Sequence, residues 1–235
     1  MNEFRYEKLG DNCELCVSDD HTFGTDAFLL ADFAQARKKD TVCDLGTGCG
    51  IIAVLIKLRY GSHEIYGVDI QKKAIEQFET TVKRSALEDI HPVLMDLKEL
   101  SAPLPLGKAD LVTCNPPYKA AKAGIESLSE AQRIARHEIM CDIGDVCRAA
   151  AKLLRFGGRF CMCNRPERLA DAVCAMRENG IEPKRLRFVS KAPDTAPWLF
   201  LIEGRRGGSP FMKTEPQLYM GTNGISPELM KIYGN

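Results

Sequence analysis

The sequence predicts an α/β protein: a doubly wound, mostly parallel sheet that ends in an antiparallel hairpin. Three observations predict it. From residue 41 to residue 164, short apolar runs alternate with segments whose apolar residues recur at helical spacing. The first run, Thr41–Leu45, passes into a glycine-rich turn, Gly46-Thr47-Gly48-Cys49-Gly50, that opens a helix. The last two runs, Leu186–Lys191 and Trp198–Arg205, are joined through Ala192-Pro193-Asp194 with no helix between them, so they pair antiparallel.

The elements follow in order. Residues 1–20 are polar and poorly patterned, with a short hairpin expected around Gly10-Asp11-Asn12. Ala27 to Lys38 reads as a helix from the spacing of Phe28, Leu29, Ala31, Phe33 and Ala34, with Thr25 or Asp26 as its N-cap. Thr41–Leu45 is a strand and Gly50–Tyr60 a helix closed by Gly61. The strand Glu64–Asp69 is followed by an amphipathic helix over Gln71–Ala86. Ile90–Met95 and Ala109–Cys114 are strands separated by a proline-rich link. Residues 119–137 read as a long polar loop, a length that suits a functional lid or a disordered stretch. Glu138–Leu154 is helical, and Arg155-Phe156-Gly157-Gly158 turns into the strand Arg159–Asn164. Pro166 suits the first turn of a helix that ends near Asn179-Gly180. The chain thus divides into a main domain, residues 1–205, with residues 1–40 as its preamble, and a tail, residues 206–235. That tail is proline- and glycine-rich, with no clear period, and its role stays open between capping the sheet edge, extending a binding surface and a disordered end.

Composition narrows the classes. The 235 residues suit one large α/β domain, and 45% hydrophobic with 27% charged residues are globular values. No run of eighteen apolar residues appears and the first residues lack an apolar signal core, so a soluble, cytoplasmic protein is expected. Ten cysteines are scattered through strands and helices rather than paired at framework spacings. They read as free thiols of a reducing compartment, and Cys13-x-x-Cys16 lacks the second pair or nearby histidine of a zinc site. Formal charge is zero, yet Arg148 to Lys191 holds eleven basic residues against four acidic, a lobe that would suit a phosphate backbone.

Two stretches carry chemistry. In Asp44-Leu45-Gly46-Thr47-Gly48-Cys49-Gly50 the glycines let backbone amides approach a ligand. A dinucleotide fingerprint fails, because its third glycine comes one residue early and Ile51 holds its place. Asp44 at the turn would repel a pyrophosphate and suits a ligand with a positive amino-acid end. Asp69, closing the second strand with Ile70 after it, is placed to accept from ribose hydroxyls. Asp96 past the third strand suits the exocyclic amine of an adenine, with Leu97 donating its backbone N–H. The second stretch is Asn115-Pro116-Pro117-Tyr118, at the end of a buried strand. The amide oxygen of Asn115 and the carbonyl of Pro116 can accept both hydrogens of a planar amine, while Tyr118 stacks on its ring.

The Asp-x-Gly-x-Gly-x-Gly turn, the acidic end of the second strand and the Asp after the third resemble the class I S-adenosylmethionine-dependent methyltransferases. Asn115–Tyr118 resembles the motif of those that methylate planar amines: adenine N6, cytosine N4 or the glutamine amide. Phe23-Gly24-Thr25-Asp26-Ala27-Phe28-Leu29-Leu30 and Ala135-Arg136-His137-Glu138 are similar to one subgroup, the bacterial tRNA1(Val) adenine-37 N6-methyltransferases, over about residues 20–205. The resemblance implies a Rossmann-like sheet of seven strands, S-adenosyl-L-methionine as cofactor, no metal, and a tRNA anticodon loop as substrate. It places Thr25 and Asp26 at the cofactor's methionine end, where a helix cap is the alternative, and leaves Arg136–Glu138 open between lid anchor and substrate contact. The other reading is an N5-glutamine methyltransferase of a translation protein such as a release factor. Those enzymes usually carry a helical domain ahead of the catalytic one, for which the residues before the glycine-rich strand are too few.

Overall fold

The computed structural model describes residues 4–10, 12–18, 22–99, 108–116, 141–221 and 224–234. Strands β1 (Arg5–Lys8) and β2 (Glu14–Val17) form the expected N-terminal hairpin, which is separate from the main sheet. The main sheet contains β3 (Thr41–Leu45), β4 (Glu64–Asp69), β5 (Ile90–Leu94), β6 (Ala109–Cys114), β7 (Leu154–Asn164), β8 (Ile181–Ser190) and β9 (Leu199–Arg206). Their order is β5-β4-β3-β6-β7-β9-β8, with β9 antiparallel to both its neighbours and the rest parallel. These seven strands form the doubly wound sheet with a C-terminal hairpin that the alternation predicts, and two short strands described below extend the sheet to nine. Because β3 has β4 on one side and β6 on the other, the crossovers leave it in opposite directions and open a crevice beyond its carboxyl end.

The helices are α1 (Thr25–Ala34), α2 (Ile51–Tyr60), α3 (Lys72–Arg84), α4 (Ile143–Leu153), α5 (Leu169–Glu178) and α6 (Pro227–Tyr233). Strand pleating sorts the core into two layers. Val42, Leu111, Cys161 and Cys163 point toward α1, α2 and α6, whereas Cys43, Leu45, Val112, Cys114 and Met162 point toward α4 and α5. Gly50 shows why one glycine of the turn is structural. It sits at φ 85°, and a Cβ there would come within 2.2 Å of the Phe78 ring, which lies fully buried on α3.

The described elements differ from expectation in several places. Neither Thr25 nor Asp26 caps α1; Gly24 is the N-cap and makes no side-chain bond, so both are already inside the first turn. Helix α4 begins at Ile143, because Asp142 and Asp145 form a capping box there; of the predicted start, residues 138–140 fall outside the described residues. Strand β7 reaches back through Arg155–Gly158, and β8 begins at Ile181. The stretch after residue 205 is built into the fold: β10 (Lys213–Thr214) and β11 (Leu218–Tyr219) pair parallel with β8, and α6 packs on α1. Of the three roles left open for that stretch, capping the sheet edge is the one these strands perform. Its elements are too short to leave a hydrophobic period. The predicted loop over residues 119–137 lies outside the described residues.

Two arginines, Arg159 buried and Arg185 partly buried, hold α1 to the sheet. A helix end leaves its last carbonyls without partners, and α1 has no basic residue in its last turn. Arg159 of β7 donates to the carbonyls of Ala34 and Gln35 at 2.7 and 3.3 Å, and Arg185 of β8 to that of Phe33 at 3.4 Å. Carboxylates balance the two guanidinium charges. Asp40 lies 3.0 Å from Arg159, and Glu203 lies 3.5 Å from Arg159 and 2.8 Å from Arg185. Glu215, from the stretch once expected as a tail, adds a second carboxylate 2.8 Å from Arg185. Glu203 is 5% exposed and bridges both guanidinium groups, so removing it leaves each with one carboxylate, Asp40 on Arg159 and Glu215 on Arg185. Glu203→Ala is expected to cost about 1.5–3 kcal/mol, the range of a hydrogen bond to a charged group, read from urea unfolding curves.

Candidate active site

A cavity of roughly 380 Å³ opens at the carboxyl ends of the parallel strands, in the crevice beside β3. The turn after β3 lines it with Gly46, Thr47 and Gly48, and the end of β4 with Asp69 and Ile70. Asp96 and Leu97 follow β5, Asn115 and Pro116 follow β6, and Phe23 and Asp26 come from the entry to α1. Eight of the ten residues expected around the cofactor therefore share one wall: Asp26, Gly46, Gly48, Asp69, Ile70, Asp96, Leu97 and Asn115. The other two, Thr25 and Asp44, do not line the cavity. Pro117, Tyr118 and Arg136–Glu138 lie outside the described residues.

Asp44 is fully buried, and its carboxylate is used inside the protein. Thr47 Oγ1 donates to one oxygen and Thr113 Oγ1 to the other, both at 2.7 Å. The sheet register explains the second bond, since β3 and β6 pair with Asp44 opposite Thr113. One carboxylate thus ties the glycine-rich turn to the strand that ends at Asn115. Burial pushes its pKa up to about 7, against the two hydroxyl donors, and the Asp69 charge adds to the rise.

Asp69 holds the turn from the other side. Its two carboxylate oxygens accept from the backbone N–H of Gly48 and of Gln71, each at 2.9 Å. Gly48 takes φ 56°, and a Cβ on it would meet no protein atom within 4 Å, so the backbone there faces open space. Asp96 accepts from Lys98 N at 2.8 Å and opens a short 3₁₀ turn, Leu97–Glu99. This wall fits an elongated ligand with a ribose: two acidic side chains at its polar edge, apolar Phe23, Ile70 and Leu97 for flat faces, and bare backbone at the turn.

Asn115 projects from the end of β6 on the same side as Thr113, toward the α1 layer. Its Nδ2 donates to Asp26 Oδ2 at 3.1 Å, and Cys163 Sγ, at the end of β7, lies 3.1 Å from its Oδ1. Sequence reasoning passed over Thr113, Cys163 and Tyr233, whose hydroxyl shares a 2.8 Å hydrogen bond with Thr25 Oγ1. The signal available for the first two was position alone: each sits near the end of a strand that neighbours the site. The cysteines around the cavity are thiols rather than nucleophilic thiolates. Burial raises Cys114 well above its ordinary value and takes Cys141 up to about 11.

The predicted basic lobe does not survive folding as an unbalanced surface. Arg148, Arg155, Arg159, Arg168, Arg177, Arg185 and Arg187 each pair with a carboxylate. Asp145, Asp110, Asp40, Glu203 and Glu228, all outside the 148–191 window, supply most of those partners. A count along the chain cannot see charges that the sheet brings across it.

The raised pKa of Asp44 makes a stability prediction with a definite sign. The folded state holds this proton more tightly than the unfolded chain, whose carboxylate titrates near 3.8. Its contribution is full below about pH 4, falls as pH rises toward about 7, and is flat beyond. The isosteric Asp44→Asn lacks this slope. Between about pH 4 and pH 7 its stability relative to wild type is expected to improve by a few kcal/mol, measured by urea titration at each pH.

Residues 18–168 match the family model of the methyltransferase small domain. A tRNA1(Val) (adenine(37)-N6)-methyltransferase of Parabacteroides distasonis is 29% identical over 206 residues, covering 85% of this chain and 82% of that protein. One of Tolumonas auensis is 28% identical over 226 residues, covering 94% and 90%. Among solved structures, a predicted O-methyltransferase from Agrobacterium tumefaciens aligns with a TM-score of 0.70 at 19% identity, over 89% of this chain and 95% of that one. A geranyl diphosphate methyltransferase solved with S-adenosylmethionine aligns at 0.56 and 16% identity, over 77% and 84%. The structural likenesses speak to the fold; the family match covers the cavity wall from Phe23 to Val146. The chain belongs to the methyltransferase small domain family, and is an enzyme that uses S-adenosyl-L-methionine.

Proposed function

We propose that this protein methylates the exocyclic N6 amine of an adenine in tRNA, adenine 37 in the anticodon loop of tRNA1(Val), in the cytoplasm. The observation that carries this reading is the state of Asn115. Its amide NH2 is turned to a carboxylate, so its oxygen, 3.1 Å from the Cys163 thiol, is the end with the character to accept from a substrate amine, beside the cavity and next to Pro116. Two relatives whose names give that activity match most of the chain and most of their own length.

In this reading Asp69 accepts from the ribose hydroxyls of the cofactor. Asp96 and the Leu97 N–H take its adenine edge, Ile70 covers a face of the ring, and Gly46 and Gly48 leave room for the methionine end. S-adenosyl-L-methionine supplies an electrophilic methyl group when bound. The rest of the chemistry belongs to the chain. An adenine amine is a poor nucleophile because its lone pair is delocalised into the ring. Asn115 Oδ1 and the Pro116 carbonyl accept its two hydrogens, which makes the nitrogen more tetrahedral and returns the lone pair to it. Tyr118 stacks on the base, and Pro116 and Pro117 keep the loop stiff so that the acceptors are already in place. No general base is required of the protein, since the amine's proton becomes acidic only after transfer.

The test is transfer of labelled methyl groups to unmodified bulk tRNA and to recombinant release factor, with nucleoside mass spectrometry. N6-methyladenosine at position 37 of tRNA1(Val) is expected; label in the release factor instead would replace adenine by the glutamine amide. Asn115→Ala is expected to lower kcat about 10²–10³-fold, as loss of a preorganised polar contact does elsewhere. Cofactor affinity, measured by calorimetry, should stay largely intact.

A further inference from the structure

We propose that Asp26 is a positioning residue for Asn115, selecting which end of its amide faces the substrate, and that Cys163 holds the opposite end. This rests on the reading of Asn115 as the group that grips the amine. The two ends of a side-chain amide have nearly the same shape and opposite hydrogen-bonding character. Rotated by half a turn, Asn115 would offer NH2 to a substrate NH2, donor against donor, and the grip would be lost.

The tertiary structure prevents that rotation. Asp26 Oδ2 lies 3.1 Å from Asn115 Nδ2, and an ionised carboxylate only accepts, so the NH2 end is the one it tolerates. Cys163, fully buried on β7, places Sγ 3.1 Å from Oδ1, where a thiol is only a weak donor to an oxygen that carries two lone pairs. The three residues come from distant parts of the chain, 89 and 48 positions from Asn115, so the contact is a product of folding alone. An electron-rich partner at the NH2 end also polarises the amide, making Oδ1 a stronger acceptor.

Asp26 is itself held in place. Its Oδ1 accepts from the Ala27 N–H at 3.1 Å, in the first turn of α1. Tyr233 of α6 bonds the neighbouring Thr25, and Tyr233 packs edge-on against Phe28 at 5.1 Å between ring centroids. Arg59 of α2 donates to the Ile232 carbonyl and so ties α6 down. The far end of α1 is fixed by Arg159 and Arg185. A carboxylate on a helix pinned at both ends is suited to aligning a side chain on a neighbouring strand.

The experiment compares Asp26→Ala, Asp26→Asn, Cys163→Ala and Cys163→Ser by steady-state kinetics, cofactor calorimetry and the side-chain amide NMR signals of Asn115, assigned by their loss in Asn115→Ala. Asp26→Ala is expected to lower kcat tenfold to a hundredfold, the cost of a misplaced group, with cofactor Kd little changed (about 10–10²). The Asn115 NH2 signals should move toward those of a solvent-exposed amide. Asp26→Asn, which can still accept through its own oxygen, should recover part of both effects and serves if the alanine variant does not fold. Cys163→Ala should cost less than Asp26→Ala, and Cys163→Ser, which keeps a donor, less again. A tenfold or greater loss of cofactor affinity in Asp26→Ala, with kcat preserved at saturation, would make Asp26 a cofactor ligand and overturn the proposal. Unmoved Asn115 signals would overturn it equally. If wild-type protein methylates no tRNA yet the Asn115 signals respond to Asp26, the positioning role stands and the substrate assignment falls.

Discussion

The carboxylate of Asp44 is buried in the middle of the sheet with a threonine hydroxyl on each oxygen. One of those hydroxyls belongs to the glycine-rich turn and the other to β6, two residues before Asn115. An acidic group in such a place costs free energy, because burial disfavours its charged form and pushes its pKa up. What it secures is a fixed relation between the glycine-rich loop that lines the cavity and the strand that ends at Asn115. The Asp69 bond to Gly48 N–H fixes the same loop from the neighbouring strand. Two carboxylates, each at the end of a parallel strand, thus set the shape of the cavity before any ligand enters. Preorganisation of that kind removes an ordering cost from the binding step.

The second constraint is the suspension of α1. Its first turn supplies Asp26 to the site, while its last carbonyls are capped by arginines that reach across from β7 and β8. Those arginines are balanced by Asp40, Glu203 and Glu215, so a charge network in the sheet edge sets where a residue on the opposite end of the helix stands. Buried ion pairs of this sort add little net stability compared with apolar packing of equal volume. Here they do something apolar packing does not, because a guanidinium satisfies carbonyls and carboxylates in one plane and so fixes a direction. Glu215 and α6 complete the suspension, which explains how a stretch without sequence periodicity is built into the fold.

Electrostatics follow the same logic. A neutral chain with a basic window invites a picture of one charged face, but the sheet brings Asp40, Asp110 and Glu203 to the arginines of that window. Binding of a polyanion would then rest on fewer cations than the count suggests, with a correspondingly shallower salt dependence.

The sequence by itself determined the layer architecture, the alternation of strands and helices along the chain and the address of the cavity. Those follow from local physics: apolar runs of strand length, helical spacing, and glycines and prolines that can stand only at turns. It also identified Asp69, Asp96 and Asn115, because in this sheet polar residues at strand ends collect at one rim. Only the tertiary structure decided what each carboxylate does. Asp44 and Asp69 look alike in sequence, each closing a strand before a turn. One is buried against Thr113 because β3 has β6 on its flank, while the other lines the cavity. Asp26 looked like a helix cap or a cofactor ligand, and meets Asn115 because strand pleating points that side chain toward α1. Register and pleat are properties of paired strands, and no single segment of the chain contains them.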